Sequence, residues 1–114
     1  MDESILNSIK KLLGIAEFDT SFDQDIITDI NTILGILWQM GVGPTSPFRI
    51  SGPDETWGDF SEDLSKIEFI KTYIHLRVAQ IFDPSSSHAV DESRTNLINE
   101  LEWRLYTSGD SEII

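Results

Sequence analysis

Apolar residues recur along this chain at three- and four-residue steps almost from end to end, the spacing that gathers them on one face of an α-helix. The first run covers residues 3–13, where Ile5, Leu6, Ile9, Leu12 and Leu13 share a broad face and Gly14 stops it. An acidic turn follows. Ser21 or Asp23 is expected to cap the next helix, its side-chain oxygen taking the free amide hydrogens of the first turn. The second helix is expected from Asp23 to Met40, with Ile26, Ile30, Ile33, Leu34, Leu37 and Trp38 as its apolar positions. Asp23, Asp25 and Asp29 near its start suit the positive end of the helix dipole. Gly41, Gly43, Pro44 and Pro47 then end it, since glycine permits positive φ and proline removes an amide donor.

Residues 41–60 form the main irregular segment. Phe48–Ser51 is expected to be extended, and Pro53–Phe60 to be a turn leading into one or two turns of helix. A loop of this length in a small domain is usually functional or partner-bound. A third long helix is expected from Leu64 to Phe82. Its face is Ile67, Ile70, Tyr73, Ile74, Val78 and Ile81, widened by Phe69 and Leu76, and Asp83–Ser87 ends it. The last helix should run from Val90 to Tyr106, with Val90, Leu97, Ile98, Leu101 and Leu105 as a stripe. Glu92, Arg94, Asn99, Glu100, Glu102 and Arg104 occupy its other faces. Residues 107–114 are expected to be a short flexible tail. The pattern therefore predicts an all-α chain: a small bundle of about four helices plus a short helical turn, with one long irregular loop at 41–60. No repeat or second domain interrupts it, so 1–114 is read as a single domain.

Composition narrows the function. The chain has 114 residues and an apolar fraction of 39%, enough for one modest core that oligomerisation would supplement. Without cysteine, neither a disulfide framework nor a thiolate metal site is possible. The opening residues carry acids before their basic pair, unlike a signal peptide, and no apolar run is long enough to span a membrane. A soluble protein made in a cytoplasm is expected. Twenty acids against eight bases leave a formal charge of −12, which repels nucleic-acid phosphate. Such a charge serves solubility, mimicry of DNA, or a pore wall along which DNA slides without sticking.

No catalytic constellation emerges. Catalysis needs an activated nucleophile or a paired acid and base. The only histidines are His75, inside the third long helix, and His88, in a Ser-rich loop; both are read as structural or solvated. Gly41–Pro44 lacks the later glycine, the lysine and the preceding strand of a phosphate loop. Asp19, Asp23, Asp25 and Asp29 do not make a calcium loop. Counting from Asp19, Gln24 falls where glycine is needed and Ile30 where the closing glutamate is needed. Neither cofactor nor metal is expected, and no enzyme activity.

The tryptophans carry more. Trp103 falls two residues after Leu101, about 200° round the helix, so it projects away from the core stripe and is read as a partner contact. Trp57 is expected to pin the irregular segment onto the core, and is also a candidate for the partner-facing surface. Arg94, Glu100 and Arg104 complete the candidate interface set.

Taken in order, several pieces carry a likeness. They are Ile9–Ile15, Phe22–Ile27, Ile30–Asn31, Leu37–Gly43, Thr56–Phe60, Phe82–Pro84 and Glu100–Leu105. This succession resembles the head–tail connector (adaptor) proteins of long-tailed, double-stranded DNA bacteriophages and prophages, from Ile5 to about Tyr106. No single piece is diagnostic; their conjunction in this order, at this length, is fairly specific. The resemblance implies a helical bundle whose copies assemble into a ring, typically a dodecamer, beneath the portal protein at the DNA-exit vertex of the capsid. It implies a stopper or tail-completion protein as the next partner, with DNA passing through the channel without specific binding. It implies that the C-terminal helix and tail contribute to portal docking, and that the irregular segment faces neighbours, channel or next component. The location implied is the virion, after synthesis in the bacterial host. The competing reading is an acidic DNA mimic or inhibitor that binds a basic partner protein.

Overall fold

The computed structural model describes residues 3–44, 46–61, 64–82 and 88–113, with backbone alone for 64–65, 88–89 and 106–113. Among them are five helices and no strand: α1 (Ile5–Leu12), α2 (Asp23–Gln39), α3 (Trp57–Phe60), α4 (Leu64–Phe82) and α5 (His88–Ile113). Four long helices and one short turn are what the periodicity predicts.

The first two helices end in the same way. Gly14 and Gly41 both take φ of +82°, the left-handed turn that only glycine adopts without strain. Beyond each, the chain folds back into a Schellman stop: the Ile15 N–H donates to the Lys10 carbonyl at 2.8 Å, and the Val42 N–H to the Leu37 carbonyl at 2.9 Å. At the start of α1, Ser4 Oγ accepts from the Asn7 N–H at 3.2 Å. The expected cap of α2 is corrected. Its N-cap is Phe22, which has no side-chain oxygen to offer; Asp23 turns instead to Lys10, and Asp19 Oδ1 accepts the Ser21 N–H.

α4 is the central helix, packing against α1, α2 and α5, while α1 and α2 also pack on each other. Ile5, Ile9, Ile26, Ile30, Ile33, Leu37, Ile70, Tyr73, Ile74 and Val78 are fully enclosed between them. Each such aliphatic side chain contributes roughly 1.5–3 kcal/mol relative to exposure. The edges of the expected apolar faces are less covered: Leu12, Trp38, Phe69 and Ile81 are exposed. Each helix has too few neighbours to cover a face as wide as its sequence draws.

The irregular segment is pinned by side chains. Asn31 grips Ile50 at both ends, Oδ1 accepting its N–H at 2.8 Å and Nδ2 donating to its carbonyl at 3.0 Å. Thr56 and Asp59 form a capping box at the start of α3. The Trp57 N–H donates to the Glu3 carbonyl and the Ile5 N–H to the Glu55 carbonyl, tying the segment to the entry of α1. Trp57 itself is 4% exposed, and its Nε1 donates to Ser8 Oγ at 3.1 Å. It pins the loop onto the core, as the sequence suggests, and burial removes it from any free partner-facing surface.

α5 departs from expectation at both ends. It begins at His88, which the sequence places in a loop, and its backbone stays helical through Ile113, past the expected end at Tyr106. The Asp83–Ser87 stop lies outside the described residues.

Candidate functional site

Four of the five interface candidates lie on α5, and three of them, Glu100, Trp103 and Arg104, are exposed. The helix is held to α4 through one carboxylate. Glu102 Oε2 accepts from the Tyr73 hydroxyl at 2.7 Å and from Arg77 Nη1 at 2.8 Å. Burial and the Glu102 hydrogen bond push the Tyr73 hydroxyl pKa far up, so it stays a donor at any working pH. Gln80 Nε2 donates to Thr95 Oγ1 at 3.3 Å and ties the helix nearer its start.

Ile98, Leu101 and Leu105 are buried against the bundle, while Val90, Leu97, Glu100, Trp103 and Arg104 are exposed. Val90 and Leu97, expected in the core stripe, are exposed; α5 packs chiefly on α4, which is wide enough to cover only the middle of the stripe. Val90, Leu97 and Arg104 are spaced by seven, so they line one edge of the helix. Trp103 lies on another face and is 69% exposed. Glu100 and Arg104 pair across one turn at 2.9 Å, both exposed. The surface thus offers an aromatic ring, two aliphatic side chains and a mixed charge pair.

Arg94 is placed differently. It is half-buried, and its Nη1 is enclosed without a hydrogen-bond partner. Burial, and next the Arg94 charge, lower the pKa of His75, whose Nδ1 is likewise enclosed and unpaired. Arg94 therefore acts at the α4–α5 junction rather than on the outer surface.

Sequence reading missed other features. Phe18 is 90% exposed in the turn between α1 and α2, and a groove of about 740 Å³ runs between α2 and residues 47–51. A phenylalanine between two acids in a short turn, Glu17–Phe18–Asp19, was the available signal. The groove left none, because it depends on where Asn31 pins the extended segment. Asp19 and Asp23, considered as calcium ligands, are engaged in the Ser21 turn and the Lys10 pair.

This geometry defines a small helical bundle whose longest helix carries exposed apolar and charged side chains on its outer faces. The chain belongs to the phage connector protein family, which matches it over residues 5–112, from the first residue of α1 to the last turn of α5. Its role is a structural one in the phage particle, at the connection of head and tail. The likeness read from Ile5 to about Tyr106 is thereby shown. The chain matches no curated protein and no solved structure. Among the described residues, no helix is long and apolar enough to cross a membrane.

Proposed function

We propose that copies of this chain close into a ring that docks on the portal at the DNA-exit vertex and links the capsid to the stopper or tail. The family match over nearly the whole chain carries this reading. The outward half of α5 supports it, since a ring subunit needs two different patches that meet head to tail around a closing axis. Trp103, with Leu97 and the Glu100–Arg104 pair beside it, supplies one such patch. The charge of −12 supports a channel wall that repels phosphate and lets DNA pass without specific binding.

Native mass spectrometry of the chain mixed with the portal ring of the same genome tests this. Portal rings should gain about twelve copies of the chain, on the order of 155 kDa. Portal rings that gain nothing at micromolar concentration and moderate salt would exclude docking as the main role. Tight, salt-sensitive capture of a nuclease or other basic protein would then favour an acidic inhibitor.

A further inference from the structure

Phe18 is the most exposed large apolar side chain among the described residues, yet its loop is tied down. Lys10 Nζ donates to the Glu17 carbonyl at 3.0 Å, and Asn7 Nδ2 to Glu17 Oε1 at 3.1 Å. The Asp19 N–H donates to the Ala16 carbonyl at 3.0 Å, and the Ser21 N–H to Asp19 Oδ1 at 3.1 Å. An aromatic ring held out in water by a fixed loop has the form of an interface anchor: its ordering entropy is already lost and its apolar surface is uncovered.

The same subunit offers a receiving surface. The groove between α2 and residues 47–51 is lined by Ile27, Asn31 and Gly35 on the helix and by Phe48, Arg49 and Ile50 on the extended segment. Gly35 lies in mid-helix, where glycine weakens α2 relative to alanine. A Cβ at that position would meet nothing within 4 Å, so the packing of the subunit itself does not call for glycine. Its effect is to let an outside group approach the helix backbone. Arg49 is the one charged residue lining the groove. It is exposed and makes no ion pair among the described residues, whereas Lys10, Lys71, Arg77 and Arg104 each have a carboxylate partner.

We propose that the Glu17–Phe18–Asp19 knob of one copy enters this groove on the next, with the Phe18 ring over Gly35 and the two carboxylates flanking Arg49. Glu17 uses one carboxylate oxygen inside its own loop, and Asp19 is held in place by Ser21, so both carboxylates are fixed at the base of the knob. Charge decides for a second copy as occupant. Copies carrying −12 each repel one another, and a contact that sets an acidic knob against a solitary cation relieves this where the chains meet. Knob and groove are different patches, so the contact is head to tail and propagates into a closed ring. The inference rests on the ring reading above and names one of its joints.

Because the chain has no cysteine, Phe18→Cys and Gly35→Cys introduce sole thiols. A mixture of these two variants, assembled on the portal ring and oxidised, should give disulfide-linked dimers of this chain that neither variant gives alone. Gly35→Leu should keep or raise the thermal midpoint of the free chain and weaken assembly by about tenfold or more. Arg49→Glu should weaken it likewise, and Arg49→Glu with Asp19→Arg should recover it. Wild-type assembly with no such dimers, or undiminished assembly of Gly35→Leu, overturns the groove contact and leaves the ring standing. Cross-linking of Phe18→Cys to the portal chain instead of a second copy also overturns it. If the wild type itself adds nothing to the portal, the ring reading falls first and this joint with it.

Discussion

Lys10 and Asp23 form an ion pair, 2.9 Å from Nζ to Oδ1, across the junction of α1 and α2, and Lys10 is only 1% exposed. The contact lacks hydrogen-bond geometry at Oδ1; the directed hydrogen bond of the ammonium goes to the Glu17 carbonyl. One buried cation thus holds both the start of α2 and the turn that carries Phe18. Removing Asp23 leaves that charge enclosed with only a carbonyl. Asp23→Ala should cost about 2–3 kcal/mol, at the low end for broken buried pairs because Asp23 keeps some solvent contact. Lys10→Met, which removes the charge and keeps the volume, should cost less. Urea unfolding of the two variants checks the order; a larger loss for Lys10→Met would show that the lysine contributes mainly through its carbonyl bond.

Glu102 is the tie between α4 and α5. Glu102→Ala strands the Tyr73 hydroxyl and Arg77 together, and should cost about 1–3 kcal/mol. The loss should concentrate in α5, so amide exchange there should quicken more than in α1 or α2. Uniform quickening would mean that α5 unfolds only with the whole bundle.

Stability should fall on mild acidification through His75. Its folded pKa lies below the usual 6.5, owing to burial first and to Arg94 second. Above 6.5 the ring is neutral in both states and nothing is lost. As pH falls below 6.5 the unfolded chain takes up the proton first, and stability drops until the folded pKa is passed. Denaturation midpoints at pH 7.5 and 5.5 should therefore differ, and His75→Gln should reduce the difference.

A second acid loss should follow at lower pH. The Ser8 hydroxyl, and then the charge of Lys71, hold the Glu3 carboxyl below its usual 4.5. Burial raises the Glu55 carboxyl, but hydrogen bonds from Ser51 and Gly52 outweigh it and bring it below 4.5. For such depressed acids, stability present above 4.5 is lost as pH falls through the folded values. Glu55→Gln should shrink this second step in an acid titration followed by circular dichroism.

Trp103 separates folding from assembly. Being 69% exposed, it should be replaceable by alanine with a stability change within about 0.5 kcal/mol. If the outer face of α5 is a contact surface, the same change should weaken addition to the portal by about 2 kcal/mol or more. Equal native mass spectra for the variant and the wild type would remove Trp103 from the interface.

The sequence by itself determined what is local. Helix periodicity placed the four longer helices, with the approximate bounds of α2 and α4 close to those found, and the turn signals before Phe60 placed α3. Gly14 and Gly41 marked two stops, because positive φ is a property of the residue and needs no neighbours. The offset of Trp103 from Leu101 was equally legible, since a helix wheel follows from spacing alone. Family membership was legible too, as an order of short pieces along the chain.

Only the tertiary structure decided how much of each apolar face is covered. The same spacing buries Ile98 and exposes Leu97, according to the width of α4 beneath. Tertiary contacts also overrode local preference: Asp23 left the cap of α2 for Lys10. Asn31 and Ile50, 19 residues apart, made the groove. Contacts between distant residues carry no periodic mark, because they depend on where whole helices come to rest, and so they emerge only when the chain is folded.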